Sequence, residues 1–367
     1  MRWTPICEKL VLMRHRSRGQ RLSRRTGLLI IQSLLGLGLL AAWAWAVDLR
    51  EVGRTLSQAR WTLIFLAAAL TLCSTVVRAV RWRIVLRSVA LVPLVDLWLI
   101  SVASSLVNFV IPVRSGEVAR GLLLKQRHKV SIAASLPTVA VDRSFDLLAV
   151  LMLVAAGALI GVHLEGRLSA LLLAGGIVLI AFAVFLVMAI WARSHLMKIA
   201  GRLMPRFLGA SLRERLLGIL EGLITGFTTI GRRPQDLASL LGLSIVAALI
   251  DASMFYCLFV GTGALLPLPV VVTGYSLFVV TFLVPGAPGY VGSYEAFGSL
   301  IFSALGVATD LAASTVLLSH ALNVVMVAIT GGVAMGALGL RPAQAVRSFV
   351  NPPAGNGMLE PTPTDRP

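Results

Sequence analysis

Charge is what this sequence lacks most. Only 13% of its 367 residues are Asp, Glu, Lys or Arg, about half the usual share in soluble domains. From Pro234 to Leu340 there is no Lys or Arg at all. That gap excludes a nucleic-acid groove over the C-terminal half, despite a net charge of +17, because phosphate binding needs clustered cations. Cysteine is scarce as well: Cys7, Cys73 and Cys257, with no metal spacing and no disulfide framework. There is no Walker loop, no G-x-G-x-x-G fingerprint and no H-E-x-x-H helix, so nothing points to ATP hydrolysis, a cofactor or a metal, and the chain is expected not to be an enzyme.

What fills the sequence instead is apolar. Hydrophobic residues make up 57%, mean hydropathy is +0.88, and runs of about 20 apolar residues recur, long enough to cross a hydrocarbon layer about 30 Å thick. Lys and Arg collect in the short segments between these runs, where they act as positive-inside signals. The basic tail 1–27 precedes the first run, Leu28 to Val47, which ends without a small-residue cleavage pattern and reads as a retained helix. A second run, Trp61 to Val77, is followed by Arg78, Arg81, Arg83 and Arg87, read as a cytoplasmic cluster. The segment between the two runs reads as a short outer loop.

Leu94 to Val113 is apolar but precedes Arg114, Glu117, Arg120 and Lys125. A full crossing strands that cluster outside, so the parity of charge predicts a re-entrant hairpin broken near Pro112 to Gly116. Irregular backbone at depth is tolerated where protein or a wet cavity surrounds it. Helices are expected over Leu136 to Val162 and Leu168 to Trp191. A basic linker 193–235 follows, in which Leu212, Leu216, Leu217, Leu220 and Leu223 suggest an interfacial amphipathic helix. Asp236 to Val260 then runs outward and Leu311 to Leu340 returns. Between them, Val270 to Leu305 is interrupted at Pro285 to Gly292, a second hairpin entering from the opposite face. The expectation is an all-α transmembrane bundle of about six full spans and two re-entrant hairpins. Helix, hairpin and helix over 61–162 repeat in inverted orientation over 236–340, an arrangement that places transport sites at the broken helices. Residues 341–367, rich in Pro and Gly, read as a disordered cytoplasmic tail.

Charges inside such a bundle need a partner or a purpose. Around the first break stand Asn108, Pro112, Arg114, Gly116, Glu117 and Arg120. They are either a polar head-group site, with Arg114 on a phosphate, or a structural Arg-Glu pair at the hairpin tip. Asp142, Arg143 and Asp146 share one apolar run, with Arg143 three residues from Asp146; a second cation such as Arg114 or Arg120 would complete the set, as a stabilising network or a coupling site. Around the second break stand Pro285, Gly289, Gly292 and Glu295, the last a counterpart of Glu117 or a helix N-terminal carboxylate. Asp251, His320 and Asn323 are either partners in a proton relay or interhelical hydrogen-bonding residues.

Four segments together, Arg78 to Arg83, Asn108 to Arg120, Val141 to Asp146 and Pro285 to Glu295, resemble the lysylphosphatidylglycerol synthase transmembrane (flippase-like) family. The resemblance covers about Leu28 to Leu340. It implies a bacterial or archaeal inner-membrane protein that moves a polar lipid between leaflets: aminoacylated phosphatidylglycerol in named members, hopanoid or polyprenyl-linked lipids in relatives. The partners implied are membrane lipids, with a lipid-synthesising enzyme possible beside them. No soluble aminoacyltransferase domain stands in these residues, so lipid modification is not carried over. Asp142 beside Arg143 departs from the Glu-Arg expected in the family, keeping the charge and shortening the reach. Rival readings are an enzyme acting on a lipid head group and an ion-coupled solute transporter.

Overall fold

The computed structural model describes residues 33–111, 115–162, 193–203, 233–283 and 286–340, with scattered positions in 176–188 and 217–228. The described residues form helices and one short 3-10 turn, without strands. In chain order they are α1 (Ser33–Ala46), α2 (Leu49–Ser57), α3 (Trp61–Leu86), α4 (Leu94–Val110), α5 (Ser115–His128), α6 (Ile132–Leu159), α7 (Arg193–Leu203), α8 (Pro234–Gly261), α9 (Leu268–Thr281), the turn Pro288–Tyr290, α10 (Ser293–Ala304) and α11 (Thr309–Ala337).

Among the described residues, α3, α8 and α11 are long and apolar enough to cross a membrane. At 1.5 Å per residue their 26 to 29 residues extend about 40 Å. With 28 residues α6 matches them in length, but it carries Asp142, Arg143 and Asp146 in its middle. The expected span 168–191 and the tails 1–27 and 341–367 lie outside the described residues, apart from isolated positions in 176–188.

Both broken segments are antiparallel hairpins. In the first, the C-terminal end of α5 returns to the start of α4: His128 Nε2 lies 3.0 Å and Arg127 Nη2 3.6 Å from the Asp96 carboxylate. Their tips also touch, because a Cβ on Gly116 would lie 2.6 Å from both the Ser104 carbonyl oxygen and the Asn108 Cβ. Only glycine permits that approach. In the second hairpin α10 folds back on α9, with Phe278 edge-on to Tyr294 at 4.7 Å.

The halves are inverted. α3 and α8 run antiparallel in the most extensive helix contact among the described residues: the Arg60 amide donates to the Gly261 carbonyl at one end, and Arg87 pairs with Asp236 at the other. Exchanging α3, α4, α5 and α6 for α8, α9, α10 and α11 maps the contact pattern onto itself. Packing of α4 on α11 corresponds to α6 on α9, α5 on α6 to α10 on α11, and α3 on α4 to α8 on α9. Each hairpin thus inserts its first arm beside the last helix of the other half. Two matching cores result, one joining Leu97, Ile100 and Leu124 to Trp82 and Met335, the other joining Val271, Phe278 and Phe302 to Phe255 and Val154. Large apolar side chains such as Phe65, Ile329 and Val333 face outward instead, the inversion a hydrocarbon surround allows.

Two expectations are corrected. Arg78 and Arg81 do not lie in a segment between helices: no Pro or Gly interrupts the run, so α3 continues to Leu86 and turns these two inward, while Arg83 stays exposed. The segment after α1 is not merely a loop, since Asp48 accepts from the Arg50 and Glu51 amides and starts the amphipathic helix α2, at 86° to α1. Most of the expected amphipathic stretch 212–223 lies outside the described residues; just beyond it, Ile224 and Phe227 are buried among Val85, Val141 and Phe145.

Candidate functional site

Where α3, α6 and α8 pack together, the apolar core gives way to ionic groups. Arg81, 1% exposed, donates from Nε to Asp142 Oδ1 at 2.7 Å, and from Nη1 to Asp146 Oδ1 at 2.6 Å and Ser244 Oγ at 2.9 Å. Arg78, one helical turn earlier on the same face, donates to Asp146 and, at 2.7 Å, to Asp251 Oδ2. The Tyr275 hydroxyl also donates to Asp251, at 2.9 Å. Arg120 completes the set from α5, 3.4 Å from Asp142 Oδ2 and over the Trp82 ring at 5.1 Å. Three arginines face three aspartates. In a low-dielectric surround this balance matters more than any one bond, since an unpaired buried charge costs several kcal/mol.

Arg143 is held differently. It projects from α6 toward a cavity of about 560 Å³, within the usual range of small-ligand sites. Its side chain is 45% exposed, with Glu117 Oε1 at 3.9 Å and Asp146 Oδ2 at 3.5 Å, both beyond good hydrogen-bond length. The cavity wall draws Ser104 and Asn108 from α4, Gly116, Glu117 and Arg120 from α5, Arg143 and Asp146 from α6, Tyr290 and Tyr294 from the second hairpin, and Asn323 from α11. The hairpin tips meet here: Asn108 Nδ2 lies 3.4 Å from the Tyr290 hydroxyl, and a Cβ on Gly289 would come within 3.2 Å of the Phe109 ring.

The structure therefore gathers Asn108, Gly116, Glu117, Arg120, Arg143, Asp146 and Asn323 around one space. Asp142 and Asp251 sit in the ionic network behind it. Gly289, Gly292, Glu295 and His320 form a separate buried cluster, in which His320 bonds Glu295 and the Gly289 carbonyl and Glu295 Oε2 accepts from the Gly292 amide at 2.8 Å. Asp251 and His320 do not bond each other: Asp251 meets Arg78 and Tyr275, and His320 meets Glu295 and the Gly289 carbonyl. Pro112, Arg114 and Pro285 lie outside the described residues.

Sequence reasoning missed Arg78, Arg81, Tyr275 and Tyr290. For the arginines a signal exists: they lie three apart in a run whose other positions, Val77, Ala79, Val80, Trp82, Val85 and Leu86, stay largely apolar. The tyrosines carry no such signal.

Comparison with known proteins agrees with this architecture. The glycosyltransferase AglD of Haloferax volcanii is 25% identical over 346 residues, covering 85% of this chain and 54% of that protein, so the chain spans about half its length. The UPF0104 membrane protein PH1989 of Pyrococcus horikoshii is 23% identical over 319 residues, covering 82% of this chain and 94% of that protein. The family model described as the lysylphosphatidylglycerol synthase TM region matches residues 27–331, the first repeat and most of the second. This chain is a multi-pass helical membrane protein and belongs to the lysylphosphatidylglycerol synthase transmembrane family.

Proposed function

We propose that the protein carries a polar lipid between leaflets, its head group in the cavity where the two hairpins meet and its chains left in the bilayer. The observation that supports this most is Arg143. Arg78 and Arg81 behind it are each paired with two aspartates, whereas its guanidinium faces open space with only loose contacts and keeps donors for a phosphate or carboxylate. Asn108, Tyr290 and Asn323 add neutral hydrogen-bonding groups to the same wall, suited to sugar hydroxyls. Candidate cargoes are an anionic phospholipid, a hopanoid and a polyprenyl-linked lipid. The name of the Haloferax volcanii relative, a glycosyltransferase, puts a polyprenyl-linked sugar first among those to test. The chain acts in this reading without chemical conversion, beside an enzyme that makes the lipid, in a bacterial or archaeal cell membrane with both termini in the cytoplasm.

The test is transfer in proteoliposomes loaded with a fluorescent anionic phospholipid or a fluorescent polyprenyl-phosphate sugar in one leaflet. Wild-type protein is expected to move at least one of them, and Arg143→Ala or Glu117→Gln to slow it about tenfold, as expected for loss of a charge-assisted contact. Transfer no faster than in empty liposomes for both lipids overturns the reading.

A further inference from the structure

The Glu295–His320 cluster lies outside the cavity lining and has no part in the reading above. His320 is buried in the last helix, and both its ring nitrogens face acceptors: Nδ1 lies 2.5 Å from Glu295 Oε1 and Nε2 lies 2.8 Å from the Gly289 carbonyl oxygen. A carbonyl only accepts, and an ionised carboxylate only accepts. Both contacts are made when the pair holds one added proton, as imidazolium with carboxylate or as imidazole with carboxylic acid. Either form places one hydrogen between Nδ1 and Oε1 and another on Nε2 toward Gly289. When that proton leaves to water, one hydrogen remains for two acceptors, and a lone pair then faces either the carboxylate or the carbonyl.

We infer that Glu295 and His320 form a proton-binding site that latches the turn of the second hairpin onto α11. The surroundings offer the proton no substitute. Of the groups facing the ring, Tyr294 stacks on it at 4.3 Å and bonds Ser319, and Phe109 of α4 meets it edge-on. From α10 the charged group is Glu295 itself, from the turn there is the Gly289 carbonyl, and α1 and α11 supply no Lys or Arg. Asp96, the charged residue of α4, is engaged with Arg127 and His128 at the far end of that helix, and Asp251 of α8, which packs on α11, is held by Arg78 and the Tyr275 hydroxyl.

The inverted repeat sharpens the inference. Glu117 and Glu295 are each the third residue of their return arms, and Arg143 and His320 each the twelfth residue of the following helix. One half therefore sets a glutamate beside a permanent cation, and the other sets it beside a cation only when protonated. The latched turn carries Tyr290, and Tyr294 follows it; both line the cavity. Losing the proton loosens that wall.

Hydrogen exchange of residues 286–296 in the full chain tests this, measured in detergent from about pH 5 to about pH 9 and corrected for intrinsic amide rates. Wild type is expected to exchange about tenfold or more faster at the high end, the effect of one lost charge-assisted hydrogen bond. Glu295→Gln removes the need for the proton: its amide donates to Nδ1 while Nε2–H serves Gly289. It should stay protected throughout. His320→Phe keeps the ring stack, lacks both donors, and should exchange fast at every pH. A flat wild-type profile, or a Glu295→Gln profile that rises like the wild type, overturns the inference. Ring-nitrogen NMR of wild type reads the same site without a variant: a change at His320 is expected over the pH interval in which exchange rises, and its absence there also overturns it. Lipid transfer enters none of these readouts, so the two readings fail independently.

Discussion

The Arg78 guanidinium of α3 donates to Asp251 of α8 at 2.7 Å, a bond that crosses from one half of the inverted repeat to the other. Because Arg78 also bonds Asp146 of α6, a single side chain ties three helices together. Its neighbours Arg81 and Arg120 serve the remaining aspartate, Asp142. The bundle is joined at its centre by charge balance as much as by apolar packing.

Removing one member should therefore be worse than removing a balanced pair. Asp251→Asn leaves Arg78 short of a counter-charge and is expected to cost about 3–5 kcal/mol. Arg78→Met combined with Asp251→Leu restores neutrality and should cost less than the two single changes added together. Unfolding titrations in detergent measure wild type, Asp251→Asn, Arg78→Met, Asp251→Leu and the double variant; strict additivity of Arg78→Met and Asp251→Leu would contradict a coupled network.

Adjacent glycines on α11 offer a contrast. A Cβ on Gly331 would lie 2.6 Å from Leu106 Cβ on α4, while one on Gly332 meets nothing within 4 Å. Gly331→Ala is expected to destabilise by about 1–3 kcal/mol through overpacking. Gly332→Ala should stay within about 0.5 kcal/mol of wild type. The same unfolding assay separates them.

Gly292 combines two demands. Its φ is +82°, and a Cβ there would fall 1.9 Å from the Gly36 carbonyl oxygen of α1. Gly292→Ala adds about 1–3 kcal/mol of backbone strain to a contact that cannot be kept, so α1 should part from the second hairpin. Faster hydrogen exchange in residues 33–46, with residues 61–86 unchanged, is the expected result.

Orientation follows from the two ends of the bundle. Ser57 and Gln126 are both exposed and lie at opposite ends, since α3 begins beside the first and α5 ends beside the start of α4. With Cys7, Cys73 and Cys257 replaced by serine, Ser57→Cys is expected to react with an impermeant thiol reagent from outside cells. Gln126→Cys should react only after the membrane is opened, as positive-inside charge requires.

How far the sequence led depended on the kind of signal. Pro112 to Gly116 and Pro285 to Gly292 marked both hairpin breaks, because proline and glycine change local backbone freedom wherever they stand. Charge parity then implied that the hairpins are inverted counterparts, which the antiparallel packing of α3 on α8 bears out. The same charge reasoning failed at Arg78 and Arg81. It treats every cation as a surface signal, and these two are held inside by carboxylates more than 60 residues away in the chain.

The sparse charge, the long apolar runs and the two broken hairpins determine by themselves that this chain lives in a membrane and folds as helices in two opposed halves. Hydrophobic length and backbone freedom are local properties, readable one segment at a time. Which cation meets which carboxylate was decided only by the tertiary structure. It assigned Asp251 to Arg78 and His320 to Glu295, because ion pairing depends on distances between helices that spacing along the chain does not contain.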